Sequence, residues 1–130
     1  MGCNAADRHS HDILSKPLLT FILYGIPIIA IIASGSANIG TGWRTAIWTA
    51  ALAILGISCI TNAVRCGRMH CYFTGPFFLV MGLLTLLYGV GVLPLGRQGW
   101  NIISTALLVG AILLCCLPEF LWGNYKASQR

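Results

Sequence analysis

Four apolar runs, each close to twenty residues long, constrain this sequence more than any other feature. They lie at about 18–34, 45–64, 76–93 and 100–117, and short polar segments separate them. A helix needs about 20 apolar residues to cross the hydrocarbon layer of a bilayer, and it satisfies its own backbone hydrogen bonds there. The chain is 57% hydrophobic and only 8% charged, and at 130 residues it has too little interior to hide so many apolar side chains from water. The sequence therefore predicts an all-α, polytopic membrane protein with four transmembrane helices.

The apolar runs divide the chain into a predicted N-terminal tail at 1–17, a transmembrane domain at 18–117 and a C-terminal tail at 118–130. We interpret the first run as a helix and not as a secretory signal, because Pro27 lies in its middle and no small-residue cleavage site ends it. The tripeptide Gly25-Ile26-Pro27 also predicts a break in the backbone hydrogen bonds of this helix.

Six of the eight basic residues flank the same ends of the predicted helices. This group consists of Arg8, Lys16, Arg65, Arg68, Lys126 and Arg130, whereas Arg44 and Arg97 lie on the other side. The positive-inside rule then predicts cytoplasmic N- and C-termini in a multi-pass protein of the cell inner (plasma) membrane. Because the cations stand singly beside helix ends and form no basic stripe, we expect the lipid bilayer as a partner and no nucleic acid.

A shift of 57 positions aligns several residues of the two halves of the chain. The aligned pairs are Phe21 with Phe78, Gly25 with Gly82, Gly42-Trp43 with Gly99-Trp100, and Cys59 with Cys116. This pattern predicts two repeated helical hairpins related by an axis along the membrane normal.

The segment 65–75, between the second and third apolar runs, carries the most unusual chemistry in the sequence. It contains two thiols, an imidazole and two guanidinium groups, and we predict a short cytoplasmic loop here. Gly67 is expected to end the second helix, while Thr74 suits the cap and Pro76 the first turn of the third helix.

The cysteines all fall on the predicted cytoplasmic side, where thiols stay reduced. Thiolate and imidazole ligands select soft metal ions such as Hg(II) or Cu(I), and no other cofactor is implied. The candidate metal ligands are Cys59, Cys66, His70, Cys71, Cys115 and Cys116, and the candidate loop anchors or anion contacts are Arg65 and Arg68. Cysteine is also often buried as a small hydrophobic residue, so plain packing is an equal reading for the cysteines within the helices.

Two resemblances bear on these residues. The run Arg65-Cys66-Gly67-Arg68-x-His70-Cys71-x-x-Thr74-Gly75-Pro76 resembles a signature of small bacterial inner-membrane proteins, which implies kinship without an activity. The adjacent Cys115-Cys116 pair resembles the vicinal cysteines of mercuric-ion transport proteins. Those proteins carry the pair in their first helix, whereas this chain has it in the fourth.

These observations favour membrane transport or uptake of a soft, thiophilic metal of the mercury type through cysteines at the cytoplasmic face. The alternative is a non-transporting membrane subunit, or a redox-sensitive regulator that docks a partner through its inner loop. A third reading is an enzyme acting on lipid, with Cys71 as nucleophile, although we expect no enzyme. A homo-oligomer or a membrane partner is expected to help enclose a pathway.

Overall fold

The computed structural model describes residues 17–37, 39–66 and 69–122. In these residues the chain forms four long helices and no strand: α1 (Pro17–Ser36), α2 (Thr41–Cys66), α3 (Met69–Gly89) and α4 (Gly99–Trp122). A 3₁₀ turn, Gly96–Gln98, leads into α4. Each helix contains a stretch that is long and apolar enough to cross a membrane, so the prediction of an all-helical chain with four membrane-length helices is confirmed.

The four helices pack in chain order as an open row. In the described residues, α1 packs on α2, α2 on α3 and α3 on α4, whereas α1 and α4 make at most marginal contact with each other. Half of the residues in the most apolar stretch of α2 are buried, but only 11% in α1 and 6% in α4. The α2–α3 hairpin is therefore the centre of the fold, and a cleft separates the two outer helices.

Three glycines on α3 allow α2 and α3 to approach closely. Gly75, Gly82 and Gly89 are spaced by seven residues and lie against α2. A Cβ atom at Gly75 would lie 2.6 Å from Cγ1 of Ile60, and one at Gly89 would overlap the side chain of Thr45. Small residues at a seven-residue repeat are typical of helices that cross at a shallow angle with their backbones nearly in contact.

A π-helical turn interrupts α1 over Phe21–Gly25, immediately before the proline. The N–H of Ile26 donates to the carbonyl of Phe21, five residues back, and Pro27 has no N–H to continue the ladder. The predicted break in the backbone of this helix is present as this turn, because a π turn accommodates a helix irregularity at small cost.

The predicted loop at 65–75 is mostly helical, which corrects the sequence-based boundaries. α2 continues to Cys66, and α3 begins at Met69. Pro76 consequently lies inside α3 and not in its first turn. The hydroxyl of Thr74 caps nothing and donates instead to the carbonyl four residues earlier, at 2.8 Å. Helix is favoured because it satisfies the backbone of every residue in an apolar setting, which outweighs the single donor missing at the proline.

The two ends of the bundle differ in their connections. One end carries the segments 37–40 and 90–98, which join α1 to α2 and α3 to α4, and we call it the two-loop end. The opposite end, where α2 gives way to α3, is called the thiol end. Predictions for the tails 1–16 and 123–130, and for Gly67 and Arg68, lie outside the described residues.

The predicted repeat of two hairpins stays a prediction. Two of its aligned pairs differ in burial: Cys59 is buried where Cys116 is exposed, and Trp43 is 74% exposed where Trp100 is half-buried.

Candidate functional site

Two buried cysteines meet where α2 crosses α3 at the thiol end. Cys59 is 2% exposed and Cys71 is fully buried, and their thiols are in hydrogen-bonding contact with each other. With Ala63 they form a small buried cluster against which Tyr24 and Phe78 pack. We call Cys59 and Cys71 the thiol pair.

Polar side chains from three helices surround the thiol pair. Asn62, fully buried on α2, donates from Nδ2 to Sγ of Cys71 at 3.8 Å. Thr74, fully buried on α3, and Tyr24, in the π turn of α1, lie within hydrogen-bonding reach of the thiol of Cys59. Polar groups inside an apolar helical bundle are rare and usually contact one another. The thiol end therefore holds a compact polar site in otherwise apolar surroundings.

The close approach of α2 and α3 explains why such short side chains touch. A Cβ atom at Gly56 would lie 3.0 Å from the carbonyl oxygen of Gly75, so the two backbones are nearly in contact there. Cys59 follows the first glycine by three residues and Cys71 precedes the second by four, about one helical turn in each case. The two thiols are thus held beside the point of closest approach.

The other predicted metal ligands do not join the thiol pair. On α4, Cys115 is half-buried and Cys116 is exposed. His70 is half-buried and adjacent to Cys71, which places it about 100° away around α3. The described residues contain no group of three or more Cys, His, Asp or Glu side chains placed to hold a metal ion. Of the six predicted ligands, the described side chains bring together two, Cys59 and Cys71.

The remaining predicted residues give little support to a site elsewhere. Arg65 is exposed at the end of α2, as a headgroup anchor would be. The side chains of Cys66 and Arg68 lie outside the described residues. Cys71, the predicted nucleophile of a lipid-modifying enzyme, is fully buried and so is not exposed to a molecule as large as a lipid, and that reading stays a prediction.

Sequence reasoning missed Tyr24 and Thr74 as neighbours of the thiols. Tyr24 reads as one more aromatic residue of an apolar helix, and the signal that could have singled it out is the Gly25-Ile26-Pro27 irregularity beside it. Thr74 was expected at a helix start, and its real place is a full turn inside α3.

The two-loop end is built around an arginine and two indoles. Arg44 donates from Nε to the carbonyl of Ser34 at 3.2 Å and from Nη2 to the carbonyl of Ala37 at 3.0 Å. Its guanidinium lies over the ring of Trp100, 5.4 Å from the centroid. Trp48 packs edge-on against Trp100 and donates from Nε1 to Oγ of Ser34 at 3.0 Å. This network ties α1, α2 and α4 together at the two-loop end.

Comparison of the chain with protein-family models, with curated proteins and with solved structures finds no match.

Proposed function

We propose that this chain binds a soft, thiophilic metal ion of the mercury type between Cys59 and Cys71 and carries it across the cell inner membrane. The observation behind the proposal is the contact between two buried thiols, from two different helices, inside an apolar bundle. Two-coordinate binding by sulfur is sufficient for Hg(II), Ag(I) and Cu(I), and thiolate selects these ions over hard cations.

Charge balance favours a divalent ion at the thiol pair. Binding releases one proton from each of Cys59 and Cys71, so the two thiolates carry two negative charges. A divalent ion then gives a neutral site, whereas a monovalent ion leaves one net negative charge. Because a net charge is costly to bury in an apolar interior, Hg(II) suits this pair better than Cu(I) does.

The surroundings of the pair also favour a soft ion. The side-chain N–H of Asn62 already donates to one sulfur, and the hydroxyl of Tyr24 lies beside the other, so each thiolate has a donor at hand. Hard cations require several oxygen ligands, usually carboxylates. The sequence has no Asp or Glu between residues 13 and 118.

The position of the pair suggests the direction in which an ion is passed on. Cys59 precedes Cys66 by seven residues, roughly 10 Å along the axis of α2. An ion that leaves the pair toward the end of α2 reaches the thiol of Cys66 and the imidazole of His70 by ligand exchange. With the orientation predicted by the basic residues, this transfer delivers the ion to the cytoplasm. Cys115 and Cys116 are secondary in this scheme.

Metal titration of the purified protein tests the site. The reduced chain in detergent is titrated with Hg(II) in competition with a small dithiol, and we expect one tightly held ion per chain. The Cys59→Ser/Cys71→Ser variant should lose this ion. The matched control, Cys115→Ser/Cys116→Ser, removes the same number of thiols and should keep it. Equal retention by the two double variants would contradict the proposal.

Uptake in cells tests transport separately. Cells that express the wild-type chain should accumulate more mercury and become more sensitive to it than cells that express Cys59→Ser/Cys71→Ser. If the purified chain binds Hg(II) tightly but the two strains accumulate equal mercury, the protein binds the metal without transporting it, and the transport part of the proposal is wrong.

The same contact between thiols supports a second candidate, a redox-sensitive regulator. Hydrogen peroxide would join the two sulfur atoms in a disulfide and would itself be reduced to water, taking up the two electrons and two protons of the thiols. Peptide mapping after mild peroxide treatment should then find Cys59 linked to Cys71. A disulfide that forms readily in a chain that binds no Hg(II) would favour regulation over transport.

A further inference from the structure

The cleft between α1 and α4 encloses an apolar cavity of about 530 Å³. Its walls come from α1, α2 and α4, with Phe78 of α3 at one side. The hydroxyl of Ser104, the polar side chain among the aliphatic and aromatic lining residues, already donates to the carbonyl of Trp100 at 2.6 Å. Along α4 the lining extends from Ser104 to Ile112, roughly 12 Å. An apolar cavity of this kind does not hold water, so its natural content in a membrane is hydrocarbon.

Arg44 lies beside the mouth of this cavity at the two-loop end. Arg44 donates a hydrogen bond to the carbonyl of Ser34, and the next residue, Gly35, lines the cavity. Arg44 also precedes Trp48, another lining residue, by one helical turn. The two carbonyls that accept from Nε and Nη2 do not neutralise its charge, and among the described residues Nη1 has no acceptor. The side chain is half-buried and remains accessible from outside the chain.

Among the described residues, no carboxylate lies near Arg44. The chain's three acidic residues are Asp7, Asp12 and Glu119, and the last is near the opposite end of α4. Glu119 follows Gly99, at the start of α4, by twenty residues, roughly 30 Å along the helix axis. A half-buried charge is costly unless an opposite charge pairs with it. The part of the chain that the structure describes therefore leaves room for an anion from another molecule.

We propose that an anionic phospholipid occupies this cleft, with an acyl chain in the cavity and its phosphate against Arg44. A phospholipid combines the apolar tail that the cavity requires with the anion that the arginine requires. A helix from a second copy of the chain fits less well, because residues 13 to 118 of that copy also lack a carboxylate. The lipid site is independent of the thiol pair and would bridge α1 and α4, which pack so little on each other.

Lipid retention tests the phosphate contact. The chain is reconstituted with equal amounts of phosphatidylglycerol and phosphatidylcholine, extracted in a mild detergent and examined by native mass spectrometry. We expect one phosphatidylglycerol per chain, preferred about fivefold over phosphatidylcholine, the preference that one cation near a headgroup supplies. Arg44→Gln should abolish this preference. Arg97→Gln, which removes an exposed cation from the same end, should keep it.

A conservative variant separates charge from structure. Arg44→Lys keeps the cation but loses the fork of donors to Ser34 and Ala37. It should retain the preference for phosphatidylglycerol, whereas a purely structural role for Arg44 predicts that Lys and Gln variants fail alike. Equal lipid preference in Arg44→Gln and Arg97→Gln would overturn the proposal.

Filling the cavity tests the acyl-chain contact. Ala111→Phe places a ring in the cavity and should weaken retention of both lipids, while Ala50→Phe, at an exposed position of α2 that does not line the cavity, should leave retention unchanged. A wild-type chain that appears as a lipid-free dimer, dissociated by Ala111→Phe alone, would show that a second copy fills the cleft and would overturn the proposal.

Discussion

The two ends of the bundle solve the same problem, polar groups at membrane depth, in opposite ways. At the thiol end, short side chains meet because α2 and α3 nearly touch, and Asn62 and the two thiols are partners for one another. At the two-loop end, Arg44 and Trp48 reach across to backbone and hydroxyl groups of α1. Close backbones leave no free volume, whereas long side chains leave a cavity beneath them. The thiol end thus has room only for a small ligand, and the two-loop end has room for a larger, apolar one.

The largest expected effect comes from separating the helices at the thiol end. Gly75→Ala adds a methyl group 2.6 Å from Ile60 Cγ1, so overpacking should destabilise the fold by about 1–3 kcal/mol and push the thiols apart. Reversible unfolding in mixed micelles and Hg(II) titration measure the two effects. Gly42→Ala is the control, because a Cβ atom at that position meets nothing within 4 Å. Both variants gain helix propensity, and this gain cancels when their free energies of unfolding are subtracted. Equal stability of the two variants would show that the crossing is looser than described.

A smaller effect is expected from removing one hydroxyl at the thiol pair. Thr74 and Thr85 are both fully buried on α3 and both donate to the carbonyl four residues earlier, at 2.8 and 2.7 Å. Thr74→Val should weaken Hg(II) binding about tenfold, because it removes a hydroxyl beside the Cys59 sulfur. Thr85→Val should leave binding unchanged and should cost similar stability. If both variants bind Hg(II) with equal affinity, the hydroxyl of Thr74 stabilises only its own helix and does not contribute to metal binding.

The smallest effect is expected at the two-loop end. Ser34→Ala removes the hydroxyl that accepts from Nε1 of Trp48 and should cost about 0.6 kcal/mol, a typical value for a hydrogen bond between membrane helices. Ser36→Ala, at an exposed serine whose hydroxyl donates only to carbonyls of α1, should change stability less. Neither variant should alter Hg(II) binding, since both lie at the end opposite the thiol pair. A change in metal affinity would show that the two ends are coupled.

The four helices were predictable because hydropathy and length act on whole segments. The boundaries near 65–75 were not, because the rules that place Pro at a helix start and Thr at its cap come from chains surrounded by water. In an apolar setting, the helical hydrogen bonds of residues 69–75 lower the free energy more than the missing N–H of Pro76 raises it. Orientation in the membrane rests on Arg and Lys placement and stays a prediction.

The candidate site was predictable in its residue types and not in its pairing. Cys59 and Asn62 share a face of α2 by their spacing of three, which the sequence already indicates. The partner of Cys59 depends on where α3 begins, and a helix that starts at Met69 brings Cys71 to the α2 side. Tyr24 joins from a third helix through a π turn; the Gly25-Ile26-Pro27 tripeptide marks the irregular turn, but no local pattern indicates that it contacts Cys59.

The central position of the α2–α3 hairpin also determines how the chain should tolerate change. α1 and α4 bury few residues, so exchanges among Leu, Ile, Val and Phe on their outer faces disturb few contacts within the protein. On α3, a Cβ atom at Gly75 or Gly89 would overlap a side chain of α2, whereas one at Gly82 would only contact Leu52, at 3.4 Å. A saturation library scored for membrane expression should therefore show two permissive outer helices around a hairpin in which Gly75 and Gly89 are among the least tolerant positions.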